Sequence, residues 1–292
     1  MYTIESIAHI VKGAFLQKGT SATIEHLIYD SRTVTFPAAS LFFALHTQRQ
    51  DGHYYIMDAY QKGVRCFIVD RDISLAEMTD ANVLRVSNTL KALQQLASYH
   101  RSQFSIPVIG ITGSNGKTVV KEWLYQLLQP DYKIARSPKS YNSQIGVPLS
   151  VWQLNQEHTL ALFEAGISHP GEMQVLADII QPTMGVLTNI GEAHSENFRS
   201  LEHKALEKAL LFHSSHTVIY PADDAVARKV LTTKWGADGE FKFFSWGQGQ
   251  SRLQITGVQV ANGITTVDAV YNQSALQLHI PFIDAAYVQN AL

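Results

Sequence analysis

The chain has 292 residues, 46 % of them hydrophobic, and its 25 acidic and 23 basic side chains give a formal net charge of −2. This length favours two domains, and the hydrophobic content is sufficient for sizeable cores. The charge balance gives no support to a nucleic-acid partner. The single cysteine, Cys66, excludes a disulfide framework. The sequence shows neither a signal peptide nor an apolar run of membrane-spanning length, so we expect a cytoplasmic protein without a membrane span.

Residues 1–104 form the first predicted domain, in which short helices and strands alternate. Apolar residues at helical spacing predict a helix from Ile4, and a long amphipathic helix from Thr89 to about residue 104 with Thr89 as its N-cap. Apolar runs predict strands at 25–29, 41–45 and 64–69, and a helix at 54–61 that ends before Gly63. The pattern indicates a small α/β domain.

Residues 105–292 form the second predicted domain. Apolar runs with little alternation predict strands buried on both faces, as in a parallel sheet, at 108–111, 160–163, 185–187 and 217–220. Helical patterns separate them at 117–128, 171–180, 201–212 and 225–233, so we predict a doubly wound, mostly parallel α/β domain. After Trp246, alternating segments joined by Asn262-Gly263 predict an added antiparallel hairpin, with a third strand near 276–280.

A glycine-rich turn lies between the first strand and the first helix of this second domain. Backbone N–H groups in such a turn, together with the helix N-terminus, can face the phosphates of a nucleotide. Lys117 would reach the outer phosphates of ATP, and the Thr118 hydroxyl would bind Mg²⁺. Ile111 stands where the strict phosphate loop has glycine, so this is a variant loop, and a turn without any ligand is the alternative. The predicted nucleotide contacts are Gly113, Ser114, Asn115, Gly116, Lys117 and Thr118.

The sequence from Gly110 to Thr118 resembles the ATP loop of the Mur ligases and of folylpolyglutamate synthase. These enzymes join a carboxylate to an amine through an acyl phosphate, so the resemblance implies an ATP-dependent amide ligase. The P-loop kinases and GTPases fit less well, because they would not need Glu164, His194 and Lys208 together.

Three polar residues follow the loop at or after the predicted strands. Glu164 ends one buried strand and His194 follows the next, where ligands of an open α/β sheet bind. Lys208 shares an apolar helix face, where a charged amine is costly and a neutral amine could take up CO₂ as a carbamate. Each residue also has an alternative explanation. Glu164 could cap the turn that follows it, His194 could be a hydrogen-bonded loop residue, and the Lys208 side chain could extend to solvent. Lys204, one helical turn earlier, is a second candidate for the lysine that forms a carbamate.

The same three residues resemble the glutamate, histidine and carbamoylated lysine that hold the second Mg²⁺ of the Mur ligases. The resemblance therefore implies two Mg²⁺ sites, one at Thr118 and one at Glu164, His194 and Lys208, and it gives Lys117 a catalytic role beside these residues.

The first domain resembles the uridine-nucleotide domain of the third and fourth Mur ligases, through Asp30-Ser31-Arg32 and the segments 41–45 and 51–53. The resemblance implies that Ser31 and Arg32 lie near the UDP moiety, and a guanidinium fork can bind two oxygens of a diphosphate. The alternative is a β-turn with a surface arginine.

The segments 140–149 and 164–173 resemble the fourth ligase, which adds D-alanyl-D-alanine to UDP-N-acetylmuramoyl-tripeptide in peptidoglycan synthesis. This implies that Ser140 and Asn142 contact the UDP-sugar. Near the chain end, Asn290 is implied as an adenine contact, but Ala286 and Tyr287 replace the His-Asn pair of the family. That departure resembles a subgroup in which the ligase is fused to an alanine racemase.

The resemblance implies a third domain that binds the incoming dipeptide, and we expect these residues to lack it. We therefore expect a monomeric fragment that binds nucleotide and has little or no ligase activity alone. The alternatives are a folylpolyglutamate-synthase-like ligase and a non-catalytic Mur-like binding module.

Overall fold

The alternating pattern of the sequence corresponds to two units in the computed structural model, Met1–Gln103 and Phe104–Leu292. The structure describes residues 1–47, 50–192, 195–235 and 242–292. No helix in these described ranges is long and apolar enough to cross a membrane.

The first unit is built on a five-stranded sheet with the order β2-β7-β6-β5-β4, and β1 pairs separately with β3. Strands β4 to β7 pair in parallel, whereas β2 pairs antiparallel with β7. Phe42 of β5 and Phe67 of β6 are fully buried in its core. In chain order the elements are β1 (Tyr2–Thr3), α1 (Ile4–Ile10), β2 (Ala14–Gln17), β3 (Thr23–Ile24), β4 (His26–Ile28), β5 (Ser40–Phe43), α2 (Ile56–Gln61), β6 (Cys66–Val69), β7 (Asn82–Arg85) and α3 (Thr89–Arg101).

The N-cap of α3 differs from the sequence prediction. Asn88, not Thr89, is the cap, and its side-chain oxygen accepts a hydrogen bond of 2.8 Å from the backbone N–H of Lys91. Thr89 is instead the first helical residue and is buried, and its hydroxyl lies 3.4 Å from the Asp70 carboxylate. An asparagine caps as well as a threonine does, so local sequence alone does not separate the two positions.

The second unit contains one nine-stranded sheet with the order β16-β15-β14-β13-β12-β11-β8-β10-β9. Its elements are β8 (Val108–Thr112), α4 (Lys117–Leu128), β9 (Ile134–Arg136), α5 (Gly146–Val151), β10 (Leu160–Glu164), α6 (Glu172–Ile180), β11 (Met184–Leu187), α7 (Leu201–Ala209), β12 (Thr217–Pro221), α8 (Ala225–Trp235), β13 (Lys242–Gly247), β14 (Leu253–Ala261), β15 (Ile264–Tyr271), β16 (Ser274–Ile280) and α9 (Ala285–Ala291).

Strand β8 lies between β10 and β11 and pairs in parallel with both. The chain runs from β8 to β9 and β10 on one side and then crosses to β11 on the other. This makes the carboxyl end of β8 a switch point, the place where doubly wound sheets bind their ligands. Every residue of β8 and β10 is buried, as the apolar runs predict. Strands β11 and β12 instead alternate between buried and half-buried residues.

The last three strands of the sheet are an antiparallel meander, as predicted. Asn262 and Gly263 connect β14 to β15 with φ angles of 52° and 78°, the left-handed pair that a tight hairpin turn requires. Asn272 and Gln273 form the next turn with φ of 49° and 66°. That turn has no glycine, so the sequence did not reveal it.

Gly185 of β11 offers a test of core packing. A Cβ atom on this residue would lie 2.2 Å from Cδ1 of Phe212, whose side chain is fully buried. We expect Gly185→Ala to lower the free energy of unfolding by about 1–3 kcal/mol, because an added methyl group in a filled core forces its neighbours apart. Urea denaturation measures this change. Gly249→Ala is the control, because no atom lies within 4 Å of its added Cβ; equal stability of the two variants would contradict the prediction.

Candidate functional site

The glycine-rich turn between β8 and α4 has a backbone that only glycine adopts readily at two positions. The φ angle is +146° at Gly113 and +82° at Gly116. A Cβ atom on Gly113 would lie 1.9 Å from Oγ1 of Thr188, closer than atoms can approach. The glycines therefore allow the turn after the carboxyl end of β8 to contact the segment that follows β11 directly.

Hydrogen bonds fasten this turn to residues 188–191. The N–H groups of Ser114 and Asn115 donate to the backbone and side-chain oxygens of Asn189, at 2.9 and 3.1 Å. Thr188 Oγ1 donates to the Asn115 carbonyl at 2.5 Å, and Ser114 Oγ accepts from Gly191 N–H at 2.8 Å. The first turn of α4 begins at Lys117, and its leading N–H groups have no intrahelical acceptor. The turn is thus held rigid at the N-terminus of a helix, where an anion binds well.

Two lysines converge on one backbone carbonyl of the turn. Lys117 Nζ donates to the Gly113 carbonyl at 2.9 Å, and Lys208 Nζ of α7 donates to the same oxygen at 3.0 Å. Burial, together with the nearby ammonium groups of Lys117 and Lys204, lowers the pKa of Lys208 to about 7. Burial also lowers the pKa of Lys117 from its ordinary value. Lys204 is buried too, but its Nζ donates to the carbonyl of Gly191.

Glu164, the last residue of β10, is completely buried. Its Oε2 accepts a hydrogen bond of 2.9 Å from the Thr118 hydroxyl. Its Oε1 has no hydrogen-bond partner among the described residues, and Lys121 Nζ lies 3.9 Å away. Burial raises the pKa of the Glu164 carboxyl, and the positive charge of Lys121 opposes that shift.

The segment after β9 lies against this carboxylate. Ser140 Oγ lies 3.4 Å from Thr118 Oγ1. The Asn142 backbone carbonyl accepts a hydrogen bond of 2.8 Å from Gly166 N–H. A Cβ atom on Gly166 would lie 3.1 Å from the side-chain oxygen of Asn142. Ser140 and Asn142 thus border the same end of the sheet as Thr118 and Glu164.

The last helix, α9, covers the glycine turn from another direction. A Cβ on Gly116 would lie 2.1 Å from Oδ1 of Asn290, so the amide packs directly on the glycine backbone. Tyr287 of this helix belongs to an aromatic cluster with Trp123 of α4 and Phe282. The rings of Trp123 and Phe282 stack with centroids 5.1 Å apart.

Ser31 and Arg32 lie in the first unit, in a single 3₁₀ turn at Ser31–Thr33. The Asp30 carboxylate accepts from the backbone N–H of Arg32 at 3.0 Å and from its guanidinium at 2.7 Å. The Ser31 side chain is buried, whereas the Arg32 side chain is exposed. The turn therefore presents the guanidinium to solvent.

His194 lies outside the described residues. In the described ranges, no three histidine, cysteine, aspartate or glutamate side chains are grouped as a metal site. Lys121 is a site residue that the sequence analysis did not identify. Its position four residues after Lys117 places it on the same face of α4, and this spacing was the available signal.

Comparison with known proteins follows the same division of the chain. Residues 111–292 match the family model described as Mur ligase middle domain, and residues 23–101 match the one described as Mur ligase family, catalytic domain. The chain belongs to the Mur ligase family. Membership agrees with the α/β fold predicted from the sequence.

Two curated relatives of this Mur ligase chain carry the same name. The chain is 34 % identical over 234 residues to the UDP-N-acetylmuramoyl-tripeptide–D-alanyl-D-alanine ligase of Bacillus subtilis, a match that covers 79 % of this chain and 50 % of the relative. A ligase of the same name from Treponema pallidum is 32 % identical over 236 residues, with 77 % and 51 % covered. The chain thus spans about half the length of these relatives.

Solved structures of Mur ligases share the fold. A MurF structure from Acinetobacter baumannii matches 99 % of this chain and 63 % of its own, with a TM-score of 0.87 and 26 % identity. MurF from Thermotoga maritima in complex with ADP matches 91 % of this chain and 61 % of its own, with a TM-score of 0.79 and 24 % identity.

Proposed function

We propose that this chain is the nucleotide- and UDP-substrate-binding part of an ATP-dependent ligase that adds D-alanyl-D-alanine to UDP-N-acetylmuramoyl-tripeptide, a cytoplasmic step of peptidoglycan precursor synthesis. The observation that carries the proposal is the convergence of Lys117 and Lys208 on the glycine turn, beside the buried Glu164. The shared name of the curated relatives supports the choice of substrate.

ATP would bind at residues 113–118, with its phosphates at the N-terminus of α4. Lys117 Nζ now donates to two carbonyls of the turn, at 2.9 and 3.3 Å, and could exchange them for phosphate oxygens. Asn290 is the proposed adenine contact, since its amide already lies against Gly116. The ADP in the T. maritima relative supports a nucleotide in this fold.

The residues around Glu164 fit a magnesium ion. The buried carboxylate oxygen Oε1 has no hydrogen-bond partner in the described part of the chain, and carboxylate and hydroxyl oxygens are the ligands that Mg²⁺ prefers. Thr118 would hold one metal ion beside the phosphates, and Glu164 would hold a second, together with His194 and a carbamoylated Lys208 as the family resemblance implies. Bound Mg²⁺ supplies neutralisation of the charge on the transferred phosphoryl group.

Lys208 is the proposed site of carbamoylation. With a pKa of about 7, a large part of its amine is neutral at physiological pH. The neutral nitrogen can form a bond to the carbon of CO₂ and lose a proton to solvent, which converts a cation into an anion. Lys204 is a weaker candidate, because it contacts Gly191 and not the Gly113 carbonyl that Lys117 shares.

In the proposed reaction, the terminal carboxylate of the tripeptide attacks the γ-phosphoryl group of ATP. The amine of D-alanyl-D-alanine then displaces phosphate from the acyl phosphate, which yields the amide, ADP and phosphate. The work of the protein is positioning and charge neutralisation, with Lys117 at the phosphates. Ser31, Arg32, Ser140 and Asn142 are the proposed contacts to the UDP substrate. We propose that this chain binds ATP and the UDP substrate, and that the whole protein carries out the ligation.

Calorimetry of the chain with ATP·Mg²⁺ and with UDP-N-acetylmuramoyl-tripeptide tests the proposal. We expect both to bind, and Lys117→Ala to weaken ATP binding by about tenfold or more, because a charge-assisted hydrogen bond contributes roughly 1.5–3 kcal/mol. Lys133→Ala is the control, since this lysine is exposed and pairs across the surface with the exposed Glu157.

Two outcomes would contradict the proposal. ATP binding without affinity for the UDP-tripeptide would favour a folylpolyglutamate-synthase-like ligase. Failure to bind ATP, or ATP turnover absent from the whole protein, would favour a non-catalytic binding module.

A further inference from the structure

Lys121 is an amine without solvent exposure in the interior of the second unit. It lies one helical turn after Lys117 on α4 but does not reach the glycine turn. Its Nζ donates to the carbonyl of Ser137 at 2.6 Å and to that of Lys139. The remaining donor direction faces two carboxylates, Glu122 Oε1 at 3.2 Å and Glu164 Oε1 at 3.9 Å. A buried ammonium is tolerated only when its three donors have such partners.

The two carbonyls belong to the segment that follows β9. Lys139 has a φ of +47°, in the left-handed region that a residue with a side chain enters at an energetic cost. The hydrogen bond from Lys121 to the Lys139 carbonyl helps to hold this conformation. Ser140 follows immediately, with its hydroxyl 3.4 Å from Thr118 Oγ1. The two hydrogen bonds of Lys121 therefore tie the Ser137–Lys139 part of the segment to α4.

The glycine turn is fastened in a different way. In the described part of the chain, its hydrogen bonds run to residues 188–191 and to Lys117 and Lys208, and none of these bonds involves Ser137 or Lys139. The ends of the segment are also bonded to the sheet, through Ser137 N–H to the Leu162 carbonyl and through Gly166 N–H to the Asn142 carbonyl. Removal of the Lys121 amine should thus loosen the residues between these two ends and leave the phosphate contacts in place.

We propose that Lys121 is a positioning residue that fixes the segment 137–142 against α4, so that Ser140 and Asn142 are presented to the UDP-sugar substrate. This inference rests on the proposed function, in which those two residues contact that substrate. In this arrangement, the buried Lys121 connects the proposed substrate-binding segment to α4, the helix proposed to bind the nucleotide.

Lys121→Met, which keeps a long unbranched side chain and removes the donors, tests the inference in this chain. We expect the affinity for UDP-N-acetylmuramoyl-tripeptide to fall by roughly tenfold or more, because a segment that must be ordered on binding weakens affinity. We expect the affinity for ADP, measured in EDTA so that metal binding does not contribute, to stay within about twofold. Hydrogen exchange should become faster at residues 139–142 and remain unchanged at 113–118. Lys133→Met is the matched surface control.

The outcomes separate positioning from a general loss of structure. Equal weakening of both ligands, or faster exchange throughout the unit, would overturn the inference, and so would unchanged binding of the UDP-tripeptide. If Lys121→Met does not unfold cooperatively, Lys121→Gln carries the same test, because its amide still donates to one carbonyl. If the unsubstituted chain does not bind the UDP-tripeptide, the proposed function fails, whereas the exchange measurement still decides whether Lys121 holds the segment.

Discussion

Lys208→Met is expected to stabilise the folded protein at pH 6 and to lose this advantage as the pH approaches 10. Burial lowers the pKa of Lys208 from 10.5 to about 7. Below about pH 7 the amine is protonated in the folded and the unfolded protein alike, so the folded state bears the full cost of burying an ammonium group. Between about pH 7 and 10.5 the unfolded state binds more protons, and the stability of the unsubstituted protein rises with pH.

Methionine removes this dependence, because it is apolar at every pH. At about 1.4 kcal/mol for each pKa unit, the gain at pH 6 is on the order of several kcal/mol, less the hydrogen bond lost to the Gly113 carbonyl. Urea denaturation in CO₂-free buffer at several pH values measures the difference. Lys229→Met, which removes an exposed lysine paired with Glu202, is the control. Parallel stability curves for Lys208→Met and the unsubstituted protein would refute a lowered pKa.

Urea denaturation with added bicarbonate tests whether Lys208 is carbamoylated. If Lys208 forms a carbamate, added bicarbonate near pH 8 should stabilise the unsubstituted protein, because CO₂ binds the folded state selectively. Lys208→Met should show no such response. An equal response in both proteins would mean that the stabilisation arises elsewhere.

Gly113→Ala is expected to abolish nucleotide binding and to lower the free energy of unfolding by about 3 kcal/mol or more. A non-glycine residue at a φ of +146° is strained, at a cost of about 1–3 kcal/mol. Its Cβ would also lie 1.9 Å from Thr188 Oγ1, so the turn must separate from the segment 188–191. Overpacking of this kind adds about 1–3 kcal/mol. Calorimetry with ADP and urea denaturation measure the two effects.

Gly171→Ala is the matched control. Gly171 has a φ of +83°, but no atom lies within 4 Å of an added Cβ, so the variant carries strain without a collision. We expect it to bind ADP within about twofold of the unsubstituted chain, because only backbone strain is added. If Gly113→Ala behaves like Gly171→Ala, the contact with Thr188 does not determine the shape of the turn.

The parallel sheet and the glycine turn were accessible from the sequence because their determinants are local. Uniformly apolar runs indicate strands buried on both faces, and the glycines precede a helix whose bounds, Lys117–Leu128, match the prediction. The burial of Lys208 could also be anticipated, since the residues on its helix face are apolar. Short strands such as β9, with three residues, carry too little pattern to be recognised.

The contacts of Lys121 and Asn290 were not accessible in this way. Lys121 is satisfied by two backbone carbonyls on a segment 16 and 18 residues away, and carbonyl groups are invisible in a sequence. The packing of Asn290 on Gly116 depends on how α9 returns to the sheet, which the aromatic contacts of Tyr287 with Trp123 and Phe282 help to determine. Contacts of this kind depend on packing between distant parts of the chain, so a local motif does not predict them.

The fastening of the glycine turn to residues 188–191 has a consequence for biosynthesis. The bonded groups are separated by 73 to 77 residues along the chain. A growing polypeptide therefore contains the complete glycine motif long before it contains the partners that shape it, and closing so long a loop costs chain entropy. The anion-binding geometry should thus arise only after Gly191 has left the ribosome, so that a nascent chain would be unable to sequester nucleotide during synthesis.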